Sequence, residues 1–435
     1  MRELVAAGAG LIAVTYGLAR FALGLFVPEL QAAFDVTATV IGVVMGASFA
    51  GYLTALLAVG RLVGRLGART VAVGGGLAAV AGTAGVAAAP VAVALGVAAF
   101  VGGASTGLAS PALASAVEHR LAVAVRPAAQ TVINAGTSLG LIAAVPVALT
   151  VAAAWRTAWW VFAGVALLAT ASVAVALRAP SRAPRPDRGA ARSPATDPAA
   201  SRHTGAGGAG RAGTGSTALD DPFVPVTAGT AHRHVLSPAL VAAAALLGVA
   251  SAAFWSFGRE ALETLGSLSP LVGRTAWMAA GVGGLAGAGA GSLSVRYGLR
   301  TALLIGWTPL AASLAWLGSG PSSPVPAYAA AGAFGAGYMV LTGLLIVWSV
   351  RDRPDRPATA VAAAFAILAI GQSAGAPLAG ALTDQAGLAW AFAVATFAAL
   401  GGALALPSRA KRRDSPSEPA PRLPAAREEG EGDDR

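Results

Sequence analysis

Arg20 is the residue whose type and position most demand an explanation. It stands in an otherwise uncharged apolar run that begins at Leu4 and continues past Phe26. At 1.5 Å per residue, an α-helix carries it about 24 Å along from Leu4. An ionisable side chain inside such a run is costly and marks a functional site by default. Tyr16, four residues earlier, shares its helix face and can hold the guanidinium by its ring or its hydroxyl. The chemistry on offer is anion binding, or gating by a fixed cation. The competing role is structural: an arginine that snorkels to the outer interface, or bonds carbonyls of a neighbouring helix.

Few other polar groups lie within apolar runs. Gln130, Asn134 and Thr137 recur at spacings of four and three, which puts them on one helical stripe. Gln372 and Ser373 lie in a later run, and Tyr52, Trp255, Tyr338 and Trp348 are aromatics able to line a cavity or simply pack. We take Arg20, Tyr16, Gln130, Asn134, Thr137 and Gln372 as the candidate ligand-binding set. Glu29, Glu118, Glu260, Glu263 and Asp384 all fall near the ends of runs. Moving protons across a membrane needs a titratable group within it, so this placement argues against proton antiport.

Several chemistries are excluded. There is no cysteine, hence no disulfide and no thiolate site. The four histidines, His119, His203, His232 and His234, lie outside the apolar runs and form no metal-ligand set. No phosphate-binding loop and no nucleophile paired with a base is present. We expect no enzyme activity, no metal and no cofactor.

These residues must be positioned by elements that cross a bilayer. Apolar types make up 56% of the 435 residues and charged types 11%, against roughly 25% charged in soluble domains. Runs long enough to span begin near Leu4, Thr39, Val71, Val91, Ala128 and Thr157, then near Pro238, Leu271, Thr301, Pro326, Thr359 and Leu388. The first carries no convincing cleavage site and many spans follow, so we read it as a span and not a signal peptide. The net charge of +10 comes from arginines gathered in every second loop: Arg61, Arg65 and Arg69; Arg120 and Arg126; Arg178 to Arg233; Arg296 and Arg300; Arg351, Arg353 and Arg356; Arg409 to Arg413. Such loops stay on the cytoplasmic side, which places both termini there and accounts for the charge without nucleic acid. Residues 179–235 and 407–435 are rich in Pro, Arg, Gly and Ser without apolar period, so we expect a disordered linker and tail.

The sequence also repeats at an offset of 231 residues. Gly60, Arg65, Gly67 and Arg69 fall on Gly291, Arg296, Gly298 and Arg300. Gly42 falls on Gly273, Gly140 and Pro146 on Gly371 and Pro377, and Trp159 on Trp390. Arg126-Pro127-Ala128 matches Arg356-Pro357-Ala358 with a one-residue slip. Six crossings return the chain to the same side, so residues 1–178 and 236–406 are expected to be parallel six-helix repeats with a ligand path between them.

The run Gly60-Arg61-Leu62-Val63-Gly64-Arg65-Leu66-Gly67-Ala68-Arg69 resembles the loop signature of the major facilitator superfamily, G-x-x-x-D-R-x-G-R-R. It lies between the second and third spans, and the weaker copy Gly291 to Arg300 lies between the eighth and ninth, as in that family. Two departures matter. Gly64 and Val295 stand where the family has the Asp that helps latch the halves, and no arginine precedes Arg120 in the fourth span. The antiporter motif of the fifth span is also unmatched; Gly371 to Gly380 is the nearest likeness to it. On the residues alone, the glycines allow a tight turn and Arg65 and Arg69 can meet the last carbonyls of the second span. The same arginines also serve as plain cytoplasmic anchors.

The resemblance implies an all-α membrane protein with twelve transmembrane helices as two six-helix pseudo-repeats that rock around a central site. It implies a carrier of a small organic solute, anionic if Arg20 binds it; a drug efflux carrier and a non-transporting receptor or scaffold are the alternatives. Arg259 would complete the two-arginine site of the family's organic-phosphate exchangers. The offset disagrees, since Arg20 maps to Ser251 and Arg259 to Pro28. We therefore expect Arg259 at the outer mouth, paired with Glu263. Lys411 is the single lysine among 30 basic residues, a usage typical of GC-rich bacteria. The expected setting is a monomer, multi-pass in a bacterial inner (plasma) membrane, with the lipid bilayer and a small-molecule substrate as partners.

Overall fold

The computed structural model describes residues 1–150, 154–178 and 236–407, so the expected linker and all but the first residue of the tail lie outside the described residues. Among them every regular element is helical. Lipid imposes this, because a spanning backbone must satisfy its own hydrogen bonds. The N-terminal part holds α1 (Arg2–Leu25), α2 (Val27–Phe34), α3 (Ala38–Ala88), α4 (Ala92–Arg120), α5 (Arg126–Thr150) and α6 (Trp155–Ala176). The C-terminal part holds α7 (Pro238–Thr264), α8 (Pro270–Gly318), α9 (Pro324–Asp352), α10 (Pro357–Ala386) and α11 (Leu388–Leu404). Nine helices among the described residues are long and apolar enough to cross a membrane.

Two of them are too long for one crossing. α3 has 51 residues and α8 has 49. A straight helix of the first length would reach about 77 Å, against a hydrocarbon core of about 30 Å. Each is broken at one glycine, Gly67 (φ 79°, ψ 154°) and Gly298 (φ 78°, ψ 156°). That conformation is essentially closed to residues with a Cβ. The chain folds back at both points. On α4, adjacent Gly102 and Gly103 pack against Gly82 and Ser48, one from each arm of α3. On α9, Gly335 and Gly337 likewise pack against Ala280 and Gly306, one from each arm of α8.

The 231-residue offset reappears in the packing. Gly17 of α1 abuts Gly140 of α5, and 231 residues on Gly248 of α7 abuts Gly371 of α10. Small residues let these backbones approach closely where lipid offers no hydrophobic drive between helices. Pro146 and Pro377 lie inside α5 and α10. The tryptophan pair is different: Trp159 is fully buried, whereas Trp390 is 60% exposed at the start of α11. Trp159 packs on Phe26 and Phe162, while Trp390 sits on an outward face.

Contacts between the two parts gather toward one end of the helices. Gly24 lies on Trp255, and Gly42 and Gly46 lie on the Ser373–Pro377 stretch of α10. Gly380 lies on Ala38, and Gly281 lies on Ser138 and Ile142. Toward the other end, a Cβ added at Gly10, Gly64, Gly289 or Gly291 would meet nothing within 4 Å.

Gly67 and Gly64 separate strain from space, since neither position is crowded. Gly67→Ala should destabilise the protein by about 1–3 kcal/mol through backbone strain. Gly64→Ala, at a helical position, should stabilise it by about 0.5–1 kcal/mol. Thermal midpoints of the detergent-purified variants check this, and equal midpoints would contradict the turn assigned to Gly67.

Candidate functional site

Arg20 is placed by an unusual stretch of α1. Residues Ala13–Phe21 wind as a π-helix, a widening that recurs at functional sites. Thr106 of α4 donates to the Thr15 carbonyl at 3.0 Å, and the Thr15 hydroxyl donates to the Leu11 carbonyl at 2.9 Å. Gly17 lets this wider coil lie directly on Gly140. The wider turn brings residues four and five apart onto one face, so Tyr16 meets both Arg20 and Phe21.

Arg20 is 2% exposed, and among the described residues no carboxylate pairs with it. Its guanidinium carbon lies 4.3 Å from the ring centre of Tyr52, 5.0 Å from Phe49, 5.1 Å from Phe21 and 5.9 Å from Tyr16. One hydrogen bond holds it: Nη2 donates to Oε1 of Gln372 at 2.7 Å. Nε is buried without a partner among the described residues. The fully buried Gln372 donates in turn to the Ser251 hydroxyl and the Tyr338 hydroxyl, each at 3.2 Å. Phe21 stacks on Trp255 at 4.2 Å. The guanidinium thus sits in a cage of rings between the N-terminal and C-terminal parts. Burying a charge without a counter-ion is costly, and ring faces and one amide oxygen offset that cost only in part.

The sequence candidates divide here. Arg20, Tyr16 and Gln372 come together. Gln130 and Asn134 do not join them; they bond each other at 3.1 Å on an exposed stretch of α5. Thr137 is buried on the same helix, outside the hydrogen bonds of the Arg20 cage. One helical stripe therefore serves two environments. Tyr52, Trp255 and Tyr338 join the cage, while Trp348 is buried elsewhere. Phe21 and Phe49 were not singled out from sequence, because nothing distinguishes them from other packing aromatics.

The loop arginines also differ from the expectation. Arg69 donates to the Ala174 carbonyl of α6, not to the end of the second span, and Arg65 is exposed. Arg120 donates to the Ala176 and Leu177 carbonyls, so two cations meet at the C-terminal end of α6, where positive charge is favoured. Arg300 donates to the Pro407 carbonyl, Arg296 lies 5.2 Å from the Tyr297 ring, and Gly60 and Gly291 mark the helical entrances to the two turns.

Arg259 does not reach the cage. It is 2% exposed and donates to Glu29, Glu263 and the Leu25 carbonyl, while Arg274 donates to Glu29 at 2.7 Å. The Glu263 pairing matches the sequence expectation; the bonds to Glu29 and Leu25 add a tie between the two parts. Asp384 of α10 accepts from the Ala38 and Thr39 amides, which caps α3 from the other part. Glu260 lies deeper than its run-end position suggested: its Oε2 is inaccessible and meets no donor among the described residues.

A multi-pass helical protein with a cation caged between two parts of related sequence has the build of a membrane transporter. Residues 9–290 match the Major Facilitator Superfamily, and the chain belongs to that superfamily of transporters. A search of curated proteins finds no match.

Burial pushes the Glu29 carboxyl up, but the hydrogen bond and charge of Arg259 and the hydrogen bond of Arg274 outweigh it and hold the group below its ordinary value. With the folded value depressed, the stabilisation is complete above the unfolded glutamate value, about 4.3, and is lost as pH falls through the folded one. Glu29→Gln should therefore lower stability by about 2 kcal/mol at pH 7. The gap to the wild type should close as pH falls below 4. Thermal midpoints across that range provide the check; a gap that does not change with pH would refute the tie.

Proposed function

We propose that this protein is a secondary transporter that moves a small organic anion by alternating access, with Arg20 as the group that meets the anion. The carrying observation is a guanidinium buried between the two parts with rings and one amide around it and, among the described residues, no carboxylate paired with it.

The reading includes twelve crossings. Nine spans, two of them folded back at Gly67 and Gly298, plus the shorter α11 supply that number. Residues 1–178 and 236–406 are then the two six-helix halves, joined by the cytoplasmic linker 179–235 and followed by the tail 407–435. The basic loops put both termini in the cytoplasm of a bacterium, with a single copy of the chain in its plasma membrane. On that orientation the ties through Glu29, Arg259 and Asp384 close the outer side. On this reading the structure is a state closed on its outer side, and outward opening must break the Glu29–Arg259 and Asp384 contacts.

The same charge bears on the alternative of a drug efflux carrier. A caged cation without a counter-ion repels cationic amphipathic drugs and attracts anions. The run-end carboxylates support transport without proton antiport, and Glu260, whose Oε2 is inaccessible and meets no donor among the described residues, is the carboxylate to test against it.

Uptake into liposomes of labelled organic anions and of cationic dyes tests the proposal. Arg20→Ala should lower anion transport at least about a hundredfold, as loss of a buried ionic contact of about 3 kcal/mol does. Arg20→Lys should retain part of it, because an ammonium keeps the charge but not the fork. Undiminished anion transport by Arg20→Ala would sink the reading, and a large loss on collapsing a proton gradient would contradict the coupling.

A further inference from the structure

Gln372 has a place at the cage that anion binding alone does not explain. Its side chain is fully buried, and it belongs to the opposite half from Arg20. A guanidinium only donates, so the amide oxygen must face it and the amide nitrogen must face Ser251 and Tyr338. Ser251 on α7 and Tyr338 on α9 therefore aim one neutral acceptor at Arg20. That acceptor satisfies one guanidinium nitrogen and leaves Nε bare. A carboxylate satisfies two nitrogens side by side, and a charged acceptor makes roughly twice as strong a bond. The amide is thus a weak occupant of a site built for a stronger one.

The surroundings restrict that stronger occupant. Among the described residues Arg20 is the only cation in the cage, because Arg259 is taken by Glu29 and Glu263. One negative charge is matched, and a second is not. Tyr16, Phe21, Phe49 and Tyr52 offer ring faces to the rest of the molecule. Below the cage, Gly10, Ala13 and Tyr16 form a partly exposed stripe of α1, and Gly10 has open space beside it.

We infer that the Gln372 amide is an internal placeholder for a monocarboxylate with a flat apolar body, and that the arriving carboxylate displaces it from Arg20. The exchange removes a bond between the halves and so links ligand arrival to their separation. This rests on the anion reading above and goes further by naming the ligand class and the group that senses it.

The full-length protein, purified in detergent, tests it with benzoate, its neutral isostere benzamide and the dianion terephthalate. Binding is read by calorimetry. Benzoate should bind at least about tenfold tighter than benzamide or terephthalate. Gln372→Ala should tighten benzoate about tenfold by removing the competitor. Gln372→Glu should weaken it at least about a hundredfold by pairing Arg20 permanently. The chain has no cysteine, so Ala33→Cys and Thr264→Cys can carry spin labels on the outer side of the two halves. Without any ligand, Gln372→Glu should hold their separation at its short value, and Gln372→Ala should populate a longer one. Failure of benzoate to bind, or equal binding of benzamide or terephthalate, overturns the ligand class. Shifts of the label distance in the same direction for both Gln372 variants overturn the placeholder. If Arg20→Ala abolishes benzoate binding while Gln372→Ala weakens it, Gln372 is an ordinary ligand contact and the anion reading stands. If Arg20→Ala binds benzoate as the wild type does, the anion reading itself falls.

Discussion

The structure turns on one unmatched charge. A guanidinium held away from water must be satisfied by whatever surrounds it, and around Arg20 there are four rings and one amide oxygen. Were a carboxylate present, the N-terminal and C-terminal parts would be tied by a strong buried pair that opposes separation. The amide gives a weaker tie, so the two parts meet at the cage without being locked there. The π-helical stretch Ala13–Phe21 supports this arrangement by turning Tyr16, Arg20 and Phe21 onto one side of α1. The Gly17–Gly140 crossing leaves room for the wider coil.

Closure beyond the cage depends on different physics. Glu29, Arg259, Glu263 and Arg274 form a charged cluster near the helix ends, with Arg259 buried at its centre. Gly24, Gly42, Gly46, Gly281 and Gly380 bring the two parts into backbone-close contact over the same end. Small residues give contact area without interlocking side chains, so such an interface can separate without forcing rotamer changes. The missing loop carboxylate fits this picture. Gly64 and Val295 stand where the superfamily's latch residue would be, and the ionic contacts between the two parts lie at the other end of the helices.

Much of the frame was legible because a few residue types carry unambiguous constraints. Gly67 and Gly298 stand out through the 231-residue offset and the likeness to the loop signature, and glycine alone readily adopts their backbone conformation. Arg20 stood out because charge within an apolar run is rare. Arg259 was separated from it by the repeat offset, and it pairs with Glu29 and Glu263 away from the cage. Other features left no local trace. The bond from Arg20 to Gln372 joins residues 352 apart, and no helical period reports it. The π-helix hides because its residues look like any apolar helix. Gln130, Asn134 and Thr137 share a stripe, but periodicity states which residues face together and not what they face. Trp390 matched Trp159 by position yet lies on an outward surface, since a repeat copies the backbone path before it copies each environment.

The most direct test is an experimental structure of the protein with 4-iodobenzoate, whose iodine fixes the orientation of the bound molecule. The account predicts a carboxylate within hydrogen-bond distance of Nε and a terminal nitrogen of Arg20, with the ring among Tyr16, Phe49 and Tyr52 and the Gln372 amide turned away. Iodobenzoate bound elsewhere, with the Arg20–Gln372 bond intact, would contradict it.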